Sequence, residues 1–171
     1  NTQGANDNTA TVIVQMMLAH ALAGTTPKKT ITFLATTGEE YGKLGAINYV
    51  ERRRREGTLD KIAYVFNVDS WTWGHNLIVY SDDRELWNIV EEIDKDLNPK
   101  GYPSLSPDGY WLDARPFRET GARALSFCTG GLDVSTFCWH RPEDISANVS
   151  VELADVGYQI YSAFVDRVMD M

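Results

Sequence analysis

Apolar side chains along this chain recur at two spacings, one typical of helices and one typical of buried strands. Over residues 8–23 they recur every three to four positions, which predicts a helix with its cap within residues 6–8. The β-branched and apolar run over residues 31–36 predicts a buried strand. That strand ends at a junction rich in Gly and Glu, and a helix is predicted to follow over residues 44–55.

The rest of the chain continues this alternation. Further strands are predicted over residues 62–68, 77–80 and 124–127. Amphipathic helices are predicted over residues 85–97 and 151–169, and Ser150 can cap the second. Residues 98–117 hold four of the six prolines and predict a long loop. Helices that alternate with strands indicate an α/β fold around a mixed, largely parallel sheet, and no linker or repeat divides the 171 residues into several domains.

Composition narrows the classes of function. The formal net charge is −8 and the pI is about 4.8, which argues against nucleic acid as a partner because phosphate binding requires clustered Lys and Arg. The basic run at residues 52–55 lies between Glu51 and Glu56 and is predicted to be a solvated helix end. No apolar run reaches the roughly 20 residues that cross a bilayer, so no membrane span is expected. Cys128 and Cys138 are equally compatible with a disulfide and with two thiols.

Polar clusters lie at the ends of the predicted elements, at residues 4–8, 38–40, 67–70 and 139–144. Taken singly, they can be explained as a helix cap, first-turn acids, a solvated strand end and a partly buried histidine. In open α/β sheets, however, sites form where the carboxyl ends of several strands meet. Glu39 with Glu40, and Asp69, each follow a predicted strand, so we expect them to lie close together. Such carboxylates, together with the imidazole of His140, are a ligand mix that zinc accepts in hydrolytic sites.

The order and local sequence of these clusters resemble the co-catalytic zinc aminopeptidases. Relatives of that family include secreted bacterial aminopeptidases, glutamate carboxypeptidases, glutaminyl cyclases and the non-catalytic transferrin receptor ectodomain. The matching segments are Gly-Ala-Asn-Asp-Asn at 4–8, Thr-Gly-Glu-Glu-Tyr-Gly at 37–42 with Leu-Gly-Ala at 44–46, Asn-Val-Asp at 67–69, Asp-Ala-Arg-Pro-Phe at 113–117 and His-Arg-Pro-Glu-Asp at 140–144. Each motif is weak alone, but their shared order extends over nearly the whole chain.

This resemblance implies a three-layer α/β/α sandwich of the zinc-peptidase type and an exopeptidase that removes amino-terminal residues from peptides. It also implies two zinc ions in the intact site, where Asp7 bridges both, Glu40 and His140 hold one, and Asp69 holds the other. Glu39 is then the general base, which takes a proton from a zinc-activated water and delivers it to the leaving amine. A secreted or cell-envelope location is favoured on the same ground.

One motif of the family does not occur in this sequence. The family carries a further histidine ligand in a His-x-Asp segment upstream of the bridging aspartate, and none of the six residues before Asp7 is His. His20 and His75 lie outside such a motif, and we do not expect either to replace it. We therefore expect residues 1–171 to form a single, partial catalytic domain that lacks the first strands of the sheet. Such a piece is expected to bind one zinc or none and to have little or no hydrolytic activity.

Two alternatives on the same fold stay open. A glutaminyl cyclase-like acyltransferase uses one zinc and the same acid pair, and a full ligand set for one zinc is present in Asp7, Glu40 and His140. The sequences at 44–46 and 67–69 look more like those of peptidases. The second alternative is a non-catalytic binding module, against which the intact acids and His140 argue. Two zinc ions in the longer native protein would indicate the peptidase, one the cyclase and none the binding module.

Overall fold

The centre of the protein is a four-stranded sheet, seen in a computed structural model that describes residues 2–71, 76–97, 103–106, 112–130 and 137–171. Its strands are β1 (Tyr64–Asp69), β2 (Asn76–Tyr80), β3 (Pro103–Ser106) and β4 (Arg123–Gly130). Their order across the sheet is β1-β4-β2-β3. β4 runs parallel to β1 and antiparallel to β2, which in turn runs parallel to β3. The prediction of a mixed sheet is therefore confirmed.

Helices lie on both faces of this sheet. They are α1 (Thr11–Leu22), α2 (Leu44–Arg55), α3 (Arg84–Leu97), the single turn α4 (Arg115–Arg118) and α5 (Val151–Asp170). Shorter turns occupy Leu59–Lys61, Leu112–Ala114 and Ser146–Asn148, and an irregular turn occupies Ala5–Ala10. Side chains of β1 alternate between the two faces: Phe66 and Val68 belong to the core with α1, α3 and α5, whereas Val65 belongs to the core with α2 and α4. Two apolar cores on opposite faces of one sheet match the predicted three-layer arrangement.

The larger core is built around aromatic rings. The ring centroid of Phe127 on β4 lies 4.6 Å from that of Trp71 and 5.5 Å from that of Phe164 on α5. All three side chains are essentially removed from solvent, and burying one such apolar side chain stabilises a fold by about 1.5–3 kcal/mol. Gly157 lets α5 approach this cluster, because a Cβ there would already lie 3.2 Å from the Trp71 ring. These contacts fix α5 on the sheet.

Most predicted elements are present with shifted ends. Ser150 caps α5 as predicted, since its hydroxyl accepts a 3.1 Å hydrogen bond from the Leu153 N–H. The long loop predicted over residues 98–117 is wrong where the structure describes it, because that stretch contains β3, α4 and the turn Leu112–Ala114; its other residues lie outside the described ones. β3 is an edge strand that begins at Pro103, a position at which strands tolerate proline.

The buried strand predicted over residues 31–36 is also wrong. These residues pair with no strand in the part of the chain that the structure describes, and Phe33 and Leu34 are 40% and 44% exposed. A cavity of about 640 Å³ lies between this segment and β1 and is lined by both. A β-branched, apolar run forms a buried strand only when neighbouring strands cover it, and none of the described strands does so.

Two expectations from composition can be compared with the structure. No helix among the described residues combines the length and the apolar character needed to cross a membrane. Cys128 and Cys138 are not joined by a disulfide. Burial, reinforced by the negative charge of Asp144, raises the pKa of Cys138 to about 11, so this side chain stays a neutral thiol.

Gly45 brings the start of α2 against the segment that leads into Glu39 and Glu40. Its N–H donates a 2.9 Å hydrogen bond to the carbonyl oxygen of Thr37. A Cβ at position 45 would lie 2.7 Å from both the backbone nitrogen and the backbone oxygen of Thr37, closer than non-bonded atoms approach. The Leu-Gly-Ala sequence at 44–46 therefore has a packing role: it allows the helix to support the loop that carries the two glutamates.

We predict that Gly45→Ala lowers the free energy of unfolding by about 2 kcal/mol, because the added methyl group overlaps backbone atoms and forces the loop to move. Chemical denaturation followed by circular dichroism measures this change. Asn48→Ala, at an exposed position of the same helix, is the matched control and should change the free energy by less than about 0.5 kcal/mol. If Gly45→Ala were as stable as the wild type, the close approach of α2 to Thr37 would not matter for stability.

Candidate metal centre

Predicted metal ligands from three distant parts of the sequence meet at one point. Asp7 lies in the irregular turn before α1, Glu40 in the turn before α2, and His140 on the stretch that leads to α5. The Nε2 atom of His140 lies 2.6 Å from Oε1 of Glu40 and 3.5 Å from Oδ2 of Asp7. One ligand atom of each residue lies within 4.8 Å of the other two. Within the described residues, this is the one group of three or more candidate ligands that meets this distance.

The donor set fits zinc. Two carboxylates and one imidazole are ligands of the kind found in catalytic zinc sites, which keep a fourth position open. Glu40 and His140 are about half-exposed, whereas Asp7 is mostly buried, so the group is accessible from one side. Two carboxylates at this separation repel each other, and a cation between them would remove that repulsion. Asp7, Glu40 and His140 could therefore hold a metal ion.

A tight turn gives Glu39 and Glu40 different surroundings. It begins at Gly38, whose φ of +73° favours glycine, and the carbonyl oxygen of Glu39 accepts a 2.8 Å hydrogen bond from the N–H of Lys43. The side chain of Glu40 reaches His140. The Oε1 atom of Glu39 instead pairs with Nζ of Lys43 at 3.1 Å. Glu39 is thus outside the ligand group, which is compatible with its predicted role as a general base.

Asp69 ends β1 near this group without belonging to it. Its carboxylate is buried and accepts a 3.1 Å hydrogen bond from the hydroxyl of Ser70. The N–H of Ser70 donates to Oδ1 of Asn8 at 3.0 Å, which ties the end of β1 to the turn that carries Asp7. The structure therefore brings Asp69 next to that turn, and its role as a ligand of a second zinc stays a prediction.

Burial and like charge shift the acids of this region in one direction. Burial, reinforced by the negative charge of Glu40, raises the pKa of Asp7 to about 6. Burial, reinforced by the charge of Asp7, raises the pKa of Asp69 to about 7. Burial also raises the pKa of Asp113, whose carboxylate accepts a hydrogen bond from the Thr36 hydroxyl. Holding these acids ionised near neutral pH is costly unless a cation lies among them.

Two residues to which the sequence alone assigned no role touch the predicted site. Lys43 forms the ion pair with Glu39, and the helical four-residue rule could not predict it because both residues lie in the turn before α2. Trp139 stacks on the ring of His140, with centroids 4.3 Å apart and an angle of 37° between the planes. The indole ring therefore lies against the imidazole ring. No spacing rule predicts that contact, because it depends on the local turn.

The fold and this donor set define a class of protein, and comparison with known proteins identifies it. The family model of peptidase family M28 matches residues 1–165, so the chain belongs to peptidase family M28. It is 32% identical over 174 residues to aminopeptidase YwaD of Bacillus subtilis (strain 168), an alignment that covers 96% of this chain and 38% of that protein. The chain therefore spans about two fifths of the length of this relative.

Solved structures show the same fold. The structure of BSAP, a zinc aminopeptidase from Bacillus subtilis, matches with a TM-score of 0.85 and 26% identity over 98% of this chain and 43% of that chain. A glutaminyl cyclase from an Acidobacteriales bacterium matches with a TM-score of 0.76 and 16% identity, over 97% of this chain and 62% of that chain. The second match concerns the fold alone. The zinc-peptidase family and the α/β fold expected from the motifs are confirmed.

We predict that the metal-free protein becomes less stable as the pH rises from about 4 to about 7. The ordinary pKa of an aspartate is 3.8, whereas the folded protein holds Asp7 at about 6 and Asp69 at about 7. Between these values the folded state binds more protons than the unfolded state, so stability falls with rising pH. Below this window both states are protonated and the cost is absent; above it the cost is complete.

Thermal melting with a chelator at pH 5 and pH 7.5 measures this effect. Asp69→Asn removes one of the two shifted acids and should reduce the difference between the two melting temperatures. Asp166→Asn, at an exposed position on α5, should leave the difference as it is in the wild type. The expectation is wrong if Asp69→Asn and Asp166→Asn show the same pH dependence.

Proposed function

We propose that this chain carries most of the active site of a zinc-dependent aminopeptidase, an enzyme that hydrolyses the amino-terminal peptide bond of a peptide. The observation that supports this most directly is the meeting of Asp7, Glu40 and His140, with Glu39 held just outside the group. Membership of peptidase family M28 supports the same reaction class. Both YwaD and BSAP are described as aminopeptidases, which favours an exopeptidase over an endopeptidase.

In this proposal Asp7, Glu40 and His140 hold one zinc ion. Bound zinc polarises a peptide carbonyl and lowers the pKa of water, which provides a nucleophile near neutral pH. Asp7 and Asp69 would serve a second zinc, and the described residues of this chain offer that position only these two ligands. We therefore expect residues 1–171 to bind one zinc, and full activity to require a further ligand from outside these residues.

Glu39 is the general base of the proposed reaction. Glu39 lies in the same turn as Glu40, but its carboxylate pairs with Lys43, whereas the carboxylate of Glu40 pairs with His140. A carboxylate held off the metal can accept a proton from the attacking water and donate it to the leaving amine. The ion pair with Lys43 restrains one oxygen of Glu39, and the other can carry the proton. Adjacent glutamates thus serve separate roles because the turn directs their side chains apart.

A glutaminyl cyclase-like acyltransferase is the second candidate. A single complete set of three zinc ligands suits an enzyme of that kind, and the fold matches that of a glutaminyl cyclase. Two measurements on the full-length protein separate the candidates. An aminopeptidase should contain two zinc ions and release amino-terminal residues, whereas a cyclase should contain one and release ammonia from amino-terminal glutamine. A protein with neither zinc nor either reaction would be a binding module.

We predict that this chain binds one zinc ion at neutral pH and that His140→Ala weakens the binding by at least about 100-fold, because it removes one of three protein ligands. Isothermal titration calorimetry measures both the stoichiometry and the affinity. His20→Ala is the matched control, since His20 is exposed on α1 and away from the group, and it should bind zinc as the wild type does. Absence of zinc uptake by the wild-type chain would remove the proposed complete site.

We predict that Glu39→Gln in the full-length protein lowers kcat for peptide hydrolysis by about 10²- to 10⁴-fold, the usual contribution of a general base. The zinc content should stay unchanged, because Glu39 lies outside the ligand group. Glu51→Gln, an exposed position on α2, should leave both quantities unaltered. A Glu39→Gln enzyme with wild-type turnover would exclude Glu39 as the base, and loss of zinc would show that it is a ligand instead.

A further inference from the structure

The carboxylate of Asp144 is buried and lies outside the ligand group. It forms hydrogen bonds with the turn that carries Asp7, one of the proposed ligands. Asp144 is only 1% exposed. Its Oδ1 atom accepts a 2.6 Å hydrogen bond from the N–H of Asn6, and its Oδ2 atom accepts a 3.2 Å hydrogen bond from the N–H of Asp7. Hydrogen bonds to a charged acceptor are roughly twice as strong as those between neutral groups. Both oxygens of Asp144 therefore bind the backbone next to a proposed ligand.

The same residue belongs to the turn that presents His140. The N–H of Asp144 donates a 3.0 Å hydrogen bond to the carbonyl oxygen of Arg141, which closes the turn directly after His140. The hydroxyl of Thr2 donates to the carbonyl oxygen of Asp144 at 3.3 Å. Two backbone segments that are more than 130 positions apart in sequence are thus joined through one side chain and its own main chain.

We propose that Asp144 is a positioning residue for the metal centre: it fixes the backbone of Asp7 relative to His140 and thereby sets the zinc affinity of the site. The inference rests on the proposed function, because it assigns Asp144 to the same centre. Its carboxylate oxygens face backbone N–H groups, so Asp144 acts through Asp7 and not on the metal. The main-chain position of Asp7 decides whether its carboxylate can reach the same ion as His140.

A purely structural role would have a different signature. It would lower the stability of the fold and leave the zinc affinity of the folded molecules unchanged. Asp144→Asn keeps the size of the side chain but replaces one acceptor oxygen with an NH₂ group, which cannot accept from a backbone N–H. One of the two N–H groups then lacks its partner, and the turn that carries Asp7 shifts. Changes to residues that orient metal ligands usually weaken metal binding by 10- to 100-fold.

Zinc titration of the whole chain by calorimetry at neutral pH tests the proposal. We expect Asp144→Asn to bind zinc about 10- to 100-fold more weakly than the wild type. Asp166→Asn makes the same chemical change at an exposed position on α5 and should bind zinc with wild-type affinity. Equal zinc affinity of the wild type and folded Asp144→Asn would overturn the proposal.

Amide hydrogen exchange of the metal-free proteins is the second measurement. We expect the N–H groups of Asn6 and Asp7 to exchange faster in Asp144→Asn, while the core amides of α5 keep their protection. If the wild type takes up no zinc, the proposed metal centre is wrong, but hydrogen exchange still tests whether Asp144 orders the turn that carries Asp7. Faster exchange of the Asn6 and Asp7 N–H groups in Asp144→Asn supports that role, and unchanged exchange overturns it.

A second variant carries the test if Asp144→Asn does not fold. Asp144→Glu retains the charge and both acceptor oxygens but displaces them by one methylene group. We expect it to bind zinc more weakly than the wild type, because the turn that carries Asp7 must move to keep its hydrogen bonds. Wild-type zinc affinity in a folded Asp144→Glu protein would overturn the proposal.

Discussion

The concentration of negative charge beside the end of β1 is the constraint on which this site depends. Asp7, Glu40 and Asp69 come from three separate segments, and burial raises the pKa of two of them. None of the contacts described around Asp69 supplies a positive charge: its carboxylate accepts a hydrogen bond from the neutral hydroxyl of Ser70. Such an arrangement does not stabilise a metal-free protein. A cation bound among these acids would turn the repulsion into binding energy.

Both layers of helices contribute to that arrangement. The turn that carries Asp7 leads into α1, and His140 lies on the stretch that leads to α5; these two helices pack on the same face of the sheet and are linked by a hydrogen bond from Tyr161 to Gln15. Glu40 precedes α2, which packs on the opposite face. The ligand group therefore forms beside the carboxyl end of β1, between segments that lead into both layers, and its geometry depends on both cores.

Local patterns predicted the elements well where burial follows directly from the sequence. The helices α1, α2, α3 and α5 and the strands β1, β2 and β4 are present close to the predicted positions. The strand predicted over residues 31–36 failed because strand formation depends on a neighbour, and β-branched residues do not provide one. β3 was missed because the prolines of this stretch favoured a loop. An edge strand accepts a proline that a central strand would exclude.

In the candidate site, too, some features could be predicted from the sequence and others could not. The convergence of Asp7, Glu40 and His140 was predictable, because each lies in a recognisable motif at the end of an element. The hydrogen bonds between the Asp144 carboxylate and the turn that carries Asp7 were not predictable. A side chain that binds backbone N–H groups 137 and 138 positions away leaves no periodic signal in the sequence. Motifs thus indicate which residues are candidates for the chemistry. The contacts that set their geometry become visible only when the chain is folded.

Assembly of the ligands from distant segments also links metal binding to folding. In the unfolded chain Asp7, Glu40 and His140 are far apart, so the three-ligand group exists only in the folded state. A metal that binds the folded state alone stabilises it by mass action. It also removes the cost of ionising the buried acids, which grows as the pH rises through the pKa values of Asp7 and Asp69 and is complete above them. The feature that makes the metal-free protein less stable is therefore the same feature that favours zinc binding.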